Sequence, residues 1–238
     1  MTKGFFAYRL FPVLMLLGLM TLPLGAQEEV RETPEEESQA FSRKINWFAE
    51  VSILFFPENN GMASDPMPVL PSPGAGVSFS LTRFFGLELT LDFYMTHYGY
   101  DYTLDRAVPY AIENRSSRVM GALFGFQAAA YFNVKSFITI RVYGGPAADL
   151  RIVFMAADLN SGDKDQAKKE TDSVRKYFWS SGRWLMPVVG AGIDFSIKER
   201  FKVGLDLRIW APIYRLWSGE NLPGIEGWRF SPGIRVTF

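Results

Sequence analysis

The sequence predicts an all-β chain: an eight-stranded antiparallel up-and-down transmembrane β-barrel whose apolar side faces lipid. Three observations predict it. Apolar residues recur at every second position in eight separate stretches, the period of a strand with one greasy face. The connections between those stretches alternate short and long, as in membrane barrels whose tight turns share one side. The face opposite the apolar one carries Glu50, Glu88, Asp92, Asp194 and Asp206 against Arg141, Lys202, Arg208, Arg229 and Arg235, acids and bases in equal number.

Composition agrees and excludes other classes. A chain of 238 residues suffices for one barrel domain. With 25 basic and 25 acidic residues the formal net charge is zero, so no global field recruits nucleic acid. The absence of cysteine removes disulfides, thiolate metal sites, cysteine nucleophiles and a lipidated cysteine. Mean hydropathy is only +0.02 although 16% of residues are aromatic, which is unlike a helical membrane protein and compatible with alternating strands.

Residues 1–26 have the layout of a cleaved secretory signal peptide: Lys3 and Arg9, an apolar run, then Gly25 and Ala26 before a polar stretch. The apolar run is short for the roughly 20 residues of a helical span, which disfavours an uncleaved anchor. Residues 27–44 are acid-rich and too polar to offset their ordering entropy, so a flexible periplasmic leader is expected. The barrel is expected over residues 45–238.

The first strand, residues 45–56, sets Trp47, Ala49, Val51, Ile53 and Phe55 against Asn46, Glu50 and Ser52. A proline-rich loop at 57–73 leads to the second, 74–82, with Ala75, Val77, Phe79 and Leu81 on its apolar face. A turn at 83–86 makes a hairpin with the third, 87–98, where Leu87, Leu89, Leu91, Phe93 and Met95 oppose Glu88, Thr90, Asp92, Tyr94 and Thr96. The fourth, 118–132, is ambiguous in phase: Met120, Ala122, Phe124, Phe126, Ala128 and Ala130 share a face, but Leu123 falls on the other beside Gly121, Gly125 and Gln127. The fifth spans 137–145. The connection at 155–176 is the longest, and its segment 161–175 is polar apart from Ala167 and Val174, which predicts a solvent-exposed loop. The sixth, 183–195, and seventh, 201–214, flank a turn at 196–200. The eighth, 226–238, ends on Phe238, with Phe230, Ile234 and Val236 on the same face. No helix is expected beyond the signal peptide.

Apolar faces turned inward would give the rival, a soluble ligand-carrying barrel. Charge balance on the polar faces favours the membrane reading, because charges removed from water must pair. An eight-stranded barrel is just wide enough for its side chains to fill. The ten charged residues are therefore expected to form a lumen network that plugs it. Trp47, Phe195, Phe201 and Phe238 at one end and Phe55 and Trp228 at the other fit interfacial girdles.

Signs of chemistry are few. His97 is the only histidine and strand parity turns it outward, so it reads as an interfacial residue; a metal site needs more ligands than one. No catalytic, cofactor-binding or metal residue is expected. Pro146, Pro187 and Pro212 fall in the outer parts of three neighbouring strands, where each removes a ladder donor, and a lateral opening from lumen to lipid is one reading of them.

The strand count, the F-F-G-L-E-L hairpin of residues 84–89, the glycine-rich later strands and the terminal phenylalanine resemble the small bacterial outer-membrane barrels, the family that includes the membrane domain of OmpA, OmpX, OmpW and the opacity proteins. The resemblance implies export to the cell outer membrane, lipid as surroundings and insertion by the barrel assembly machinery, for which Phe230, Ile234, Val236 and Phe238 are the matching signal. It implies, variously, adhesion, membrane stabilisation or passage of small hydrophobic compounds, and does not select among them; the sequence is read as a non-enzymatic, monomeric protein, structural or interaction-making, whose long loops are candidates to meet an extracellular ligand. An OmpW-like narrow channel for small hydrophobic molecules is the alternative.

Overall fold

The computed structural model describes residues 44–57, 69–109, 117–155, 164–198, 201–218 and 227–238. The expected signal peptide and nearly all of the expected leader lie outside these. Ten strands appear: β1 (Ile45–Phe55), β2 (Val69–Ser80), β3 (Phe85–Asp101), β4 (Arg106–Pro109), β5 (Ser117–Lys135), β6 (Ile138–Gly145), β7 (Ala147–Met155), β8 (Val188–Lys198), β9 (Phe201–Trp210) and β10 (Arg229–Thr237). All pair antiparallel with their neighbours, and β1 pairs with both β2 and β10, which closes the sheet. The seal at the turn end is reciprocal: Trp47 N donates to Phe238 O at 3.1 Å and Phe238 N to Trp47 O at 2.9 Å.

The closed wall has eight strand positions. Strand five is β6 and β7 together, broken by Pro146, with β6 alongside the turn half of β5 and β7 alongside its loop half. Short β4 folds back only on the outer end of β3.

Alternation sets the two faces. Along β1, Trp47, Ala49, Val51 and Ile53 are exposed while Phe48, Glu50, Ser52 and Leu54 are buried. The phase of β5 is single: Met120, Phe124, Phe126 and Ala128 face out, and Leu123 faces an interior that is apolar at its height. Val51 is 68% exposed and Leu205 61%, whereas Arg141 is fully buried. Such an inside-out distribution suits hydrocarbon as the surrounding solvent.

Several elements differ from expectation: β4 lies in an expected loop, β8 starts at Val188 and not at residue 183, β9 ends at Trp210 and not at 214, and a short helix, Arg215–Ser218, follows it where no helix was expected. β2 starts at Val69, so Pro71 and Pro73 belong to a strand and not to the loop. Strand five runs on through β7 to Met155. The expected exposed loop contains a helix, α1 (Lys164–Trp179), with Ala167, Thr171, Val174, Tyr177 and Phe178 buried. Those residues recur at helical spacing along one face, which the polar composition of the other face conceals. The helix packs against β3, β4, β5 and β7. It ends in a 3-10 turn, Ser180–Gly182, where Gly182 holds φ 72°; a Cβ there would lie 2.9 Å from the Trp217 ring. Arg183 then lies over the Tyr177 ring at 4.0 Å and donates to Tyr177 O at 3.1 Å, pinning the helix end.

Val174 is 0% exposed and seated in the apolar cluster under α1. Val174→Asp would bury an unpaired carboxylate there. Limited trypsin digestion of the folded protein is expected to cut within α1 at least about tenfold faster in this variant, with the barrel fragment intact, because only the roof is released.

Candidate functional site

The barrel interior holds the residues that carry chemistry. Charged side chains reach it because they occupy alternate strand positions opposite the apolar ones, and glycines make room for them. A Cβ on Gly192 would lie 2.8 Å from Arg141 Nη2 and 2.9 Å from Asp206 Oδ1, so the position opposite Arg141 on β8 admits no side chain.

Nearer the turn end, three arginines join five carboxylates. Arg208 bonds Asp92 Oδ2 through Nη1 at 2.6 Å, bonds Glu50 through Nη2, and sets Nε 3.2 Å from Asp206 Oδ2. Arg141 reaches Glu88 Oε2 at 3.0 Å, Asp206 Oδ1 at 2.6 Å and Asp194 Oδ2 at 3.4 Å. Arg235 makes two bonds to Glu88, at 2.8 and 3.2 Å, and lies over the Phe48 ring at 3.5 Å. Tyr131 donates to Glu88 at 3.0 Å, and Tyr143 donates to Asp206. The pairs share members, so one continuous network ties β1, β3, β6, β8, β9 and β10 across the lumen.

A second cluster sits toward the loop end. Asp149 accepts from Tyr94 Oη at 2.8 Å, Arg151 Nε at 2.7 Å and Arg229 Nη1 at 2.6 Å. Arg151 lies 4.2 Å over the Phe178 ring of α1. Beyond it the interior turns apolar: Leu54, Leu70, Tyr98, Val119, Leu123, Val153, Met186, Val188 and Trp210 form one buried cluster with the inner face of α1.

Of the ten charges expected in the lumen, Glu50, Glu88, Asp92, Arg141, Asp194, Asp206, Arg208 and Arg235 share the turn-side network. Arg229 lies in the loop-side cluster instead. Lys202 is half-buried at the turn end and enters none of these ion pairs among the described residues. Sequence reasoning missed Asp149, Arg151, Tyr94, Tyr131 and Tyr143 as members. Ending strand five at residue 145 left the parity of Asp149 and Arg151 unread; continuing it past Pro146 would have placed both inside.

Phe230, Ile234, Val236 and Phe238 lie on the outer face of β10 and just past it, none of them fully buried. His97 stands opposite Arg118 on β5, on the outward parity. Among the described residues no group of three or more metal-ligating side chains occurs.

Backbone hydrogen bonds continue at the first two of the three prolines, whereas beyond Asp149 no strand among the described residues pairs with the edge of β7 that faces away from β5. Phe126 N donates to Pro146 O at 3.0 Å, Met186 N donates to Ala147 O at 3.0 Å, and Ala211 N donates to Pro187 O at 2.9 Å, so the wall stays paired around the first two. Pro212 lies beyond β9 in a turn, its carbonyl accepting from Arg215 N at 3.2 Å. Proline lacks a donor but keeps its acceptor, and neighbouring strands use it.

The barrel is of the small, eight-stranded type. No protein-family model matches the chain, and no curated protein does. Solved structures similar to it include the N-terminal β-barrel domain of OprF from Pseudomonas aeruginosa, at 14% identity over 83% of this chain and 100% of that one, with a TM-score of 0.39. The Neisserial surface protein A is similar at 10% identity over 83% and 99%, TM-score 0.45. The outer membrane protein OprG from Pseudomonas aeruginosa is similar at 8% identity over 82% and 95%, TM-score 0.48.

The network's energetics are testable. Arg208→Met leaves Glu50 and Asp92 buried beside one another without their guanidinium, and a loss of about 3–5 kcal/mol is expected in denaturant unfolding from lipid vesicles. Lys202→Met, at the half-buried rim, is expected to shift stability by less than about 1 kcal/mol. Equal, small effects would mean that water reaches and solvates the interior charges.

Proposed function

We propose that this chain is an integral outer-membrane barrel whose lumen is closed by its own side chains, and that it acts without catalysis, as a structural or interaction-making protein through its loop end. The observation that carries this reading is the radial sorting of the wall. Apolar side chains stand exposed outside, and an ion-paired network runs across the inside.

Physical argument supports each part. A soluble protein would not leave Trp47, Val51, Leu205 and Ile234 more than half exposed on one continuous barrel face. Two layers obstruct the lumen: arginines held to carboxylates on opposite strands, then apolar side chains under α1. An ion passing through would have to break pairs whose members have no water to replace them. The exposed side of α1 carries Lys164, Lys168, Lys169 and Lys176 with Asp165, and an Arg175–Asp172 pair, a mixed-charge surface with a basic excess for a partner or ligand to meet. Lipid surroundings, assembly by the barrel insertion machinery through the terminal strand, and a monomeric state complete the proposal.

Folded into detergent, the protein is expected to migrate faster on a gel before boiling than after, and planar bilayers containing it are expected to show no stepwise conductance. Reproducible conductance steps would replace this reading with the narrow-channel alternative. Solubility without detergent, with no shift on boiling, would overturn the membrane assignment itself.

A further inference from the structure

Charge is sorted along the barrel as well as across its wall. Among the described residues every exposed carboxylate, Asp105, Asp165 and Asp172, stands at the loop end, while Glu50, Glu88, Asp92, Asp194 and Asp206 on the turn side are all buried in the network. The turn end shows cations instead. Lys44, Arg83 and Lys135 are exposed there, and Lys202 is half-buried.

One part of that end is a cavity. The last residues of β5 and β8 and the first of β6 and β9 border an open space of about 750 Å³. Lys135 and Lys202 line it from different strands, and neither ammonium has an ion pair or hydrogen bond among the described residues. Ser136, Ser196 and Asn133 add neutral donors; the Asn133 side-chain oxygen already accepts from Thr139 Oγ1 at 2.9 Å, which leaves its amide hydrogens. No carboxylate lines the space. Asp194, opposite Thr139 in register, is buried and held 3.4 Å from Arg141 Nε. Two unpaired cations with neutral donors and no acid suit an anion. The rest of the lining is apolar: Phe137 is 48% exposed and Ile197 61%, the latter on the outward parity of Ile193 and Phe195. A single space therefore borders both the cations of the mouth and the lipid-facing wall.

We propose that this notch binds the headgroup of an anionic phospholipid in the turn-side leaflet, its phosphodiester bridging Lys135 and Lys202 while an acyl chain lies along the outer wall at Ile197. The mixed lining selects that occupant, since free phosphate or an acidic polymer would satisfy the lysines and leave Phe137 and Ile197 in water. The inference rests on the membrane reading of the outer wall.

The test uses the folded, isotope-labelled protein in phosphatidylcholine nanodiscs into which phosphatidylglycerol is introduced in steps. The amides of Ser136, Ser196 and Lys202 are expected to shift and saturate, with a midpoint near one phosphatidylglycerol to about five phosphatidylcholines, the roughly fivefold preference that one lysine gives beside an anionic headgroup. Lys135→Gln with Lys202→Gln is expected to abolish the saturating shift at Ser136 and Ser196. Lys44→Gln with Arg83→Gln removes the same charge from the same end and is expected to move the midpoint by less than about twofold. Equal losses in the two double variants would mean a diffuse field and overturn the notch, and so would a wild type whose amides do not respond. Shifts produced by inorganic phosphate or polyglutamate without phosphatidylglycerol would assign the notch to a free anion or an acidic partner and overturn the lipid assignment. Cross-relaxation from acyl protons to the outward Val51 and Leu205 methyls tests the underlying reading separately: its presence leaves the membrane assignment standing whatever the notch does, and its absence removes both. The wild-type titration decides even if a variant fails to fold.

Discussion

The first strand of this sheet pairs with the last, so neither is left with an open edge of unpaired N–H and C=O groups. Everything else in this barrel follows from that closure. The reciprocal bonds between Trp47 and Phe238 join the first strand to the last, and with them each residue of the wall is committed to one of two faces. The outer face takes the apolar residues. Most of the charge the strands carry is turned inward, Arg118 on β5 being an exposed exception, into a space that eight strands leave just wide enough for side chains.

Confinement then dictates how those charges are arranged. A single guanidinium has five donors in a planar fork, and in this interior one fork serves several strands at once: Arg208 reaches carboxylates from β1, β3 and β9, and Arg141 from β3, β8 and β9. Breaking such pairs is costly, though making them adds little over a packed apolar core. The network therefore joins distant strands across the interior at little net gain in stability. It also divides the interior. Carboxylates outnumber guanidiniums in the turn-side network, guanidiniums outnumber carboxylates around Asp149, and the apolar cluster lies past both.

Much of this was legible in the sequence because a period of two has only two phases. Once Val51 faces out, Glu50 and Ser52 face in, and the same step places Asp92, Asp206, Arg208 and Arg235. What escaped was whatever interrupts that period. Pro146 ended the fifth strand too early and hid Asp149 and Arg151. The pattern of α1 was hidden differently: five inward residues at helical spacing are diluted by eleven outward ones, so the stretch reads as a loop. The doubtful phase of β5 came from Leu123, apolar on an inward position. It is resolved only by knowing that the interior at that height is itself apolar. Which arginine meets which carboxylate was not legible at all, because pairing across the lumen depends on barrel stagger.

The prolines show how far a local rule extends. A lone proline within a ladder removes one donor on one edge and leaves its carbonyl usable, so the wall repairs itself within a residue, as at Pro146 and Pro187. Two prolines at i and i+2 are different in kind, because strand parity aims both missing donors at the same neighbour and two successive rungs are lost together. The pair Pro71 and Pro73 meets that condition, and the ladder toward β3 ends directly below it while the ladder toward β1, served by Leu70 and Ser72, continues. Spacing and edge, rather than the number of prolines, therefore locate that break in the ladder.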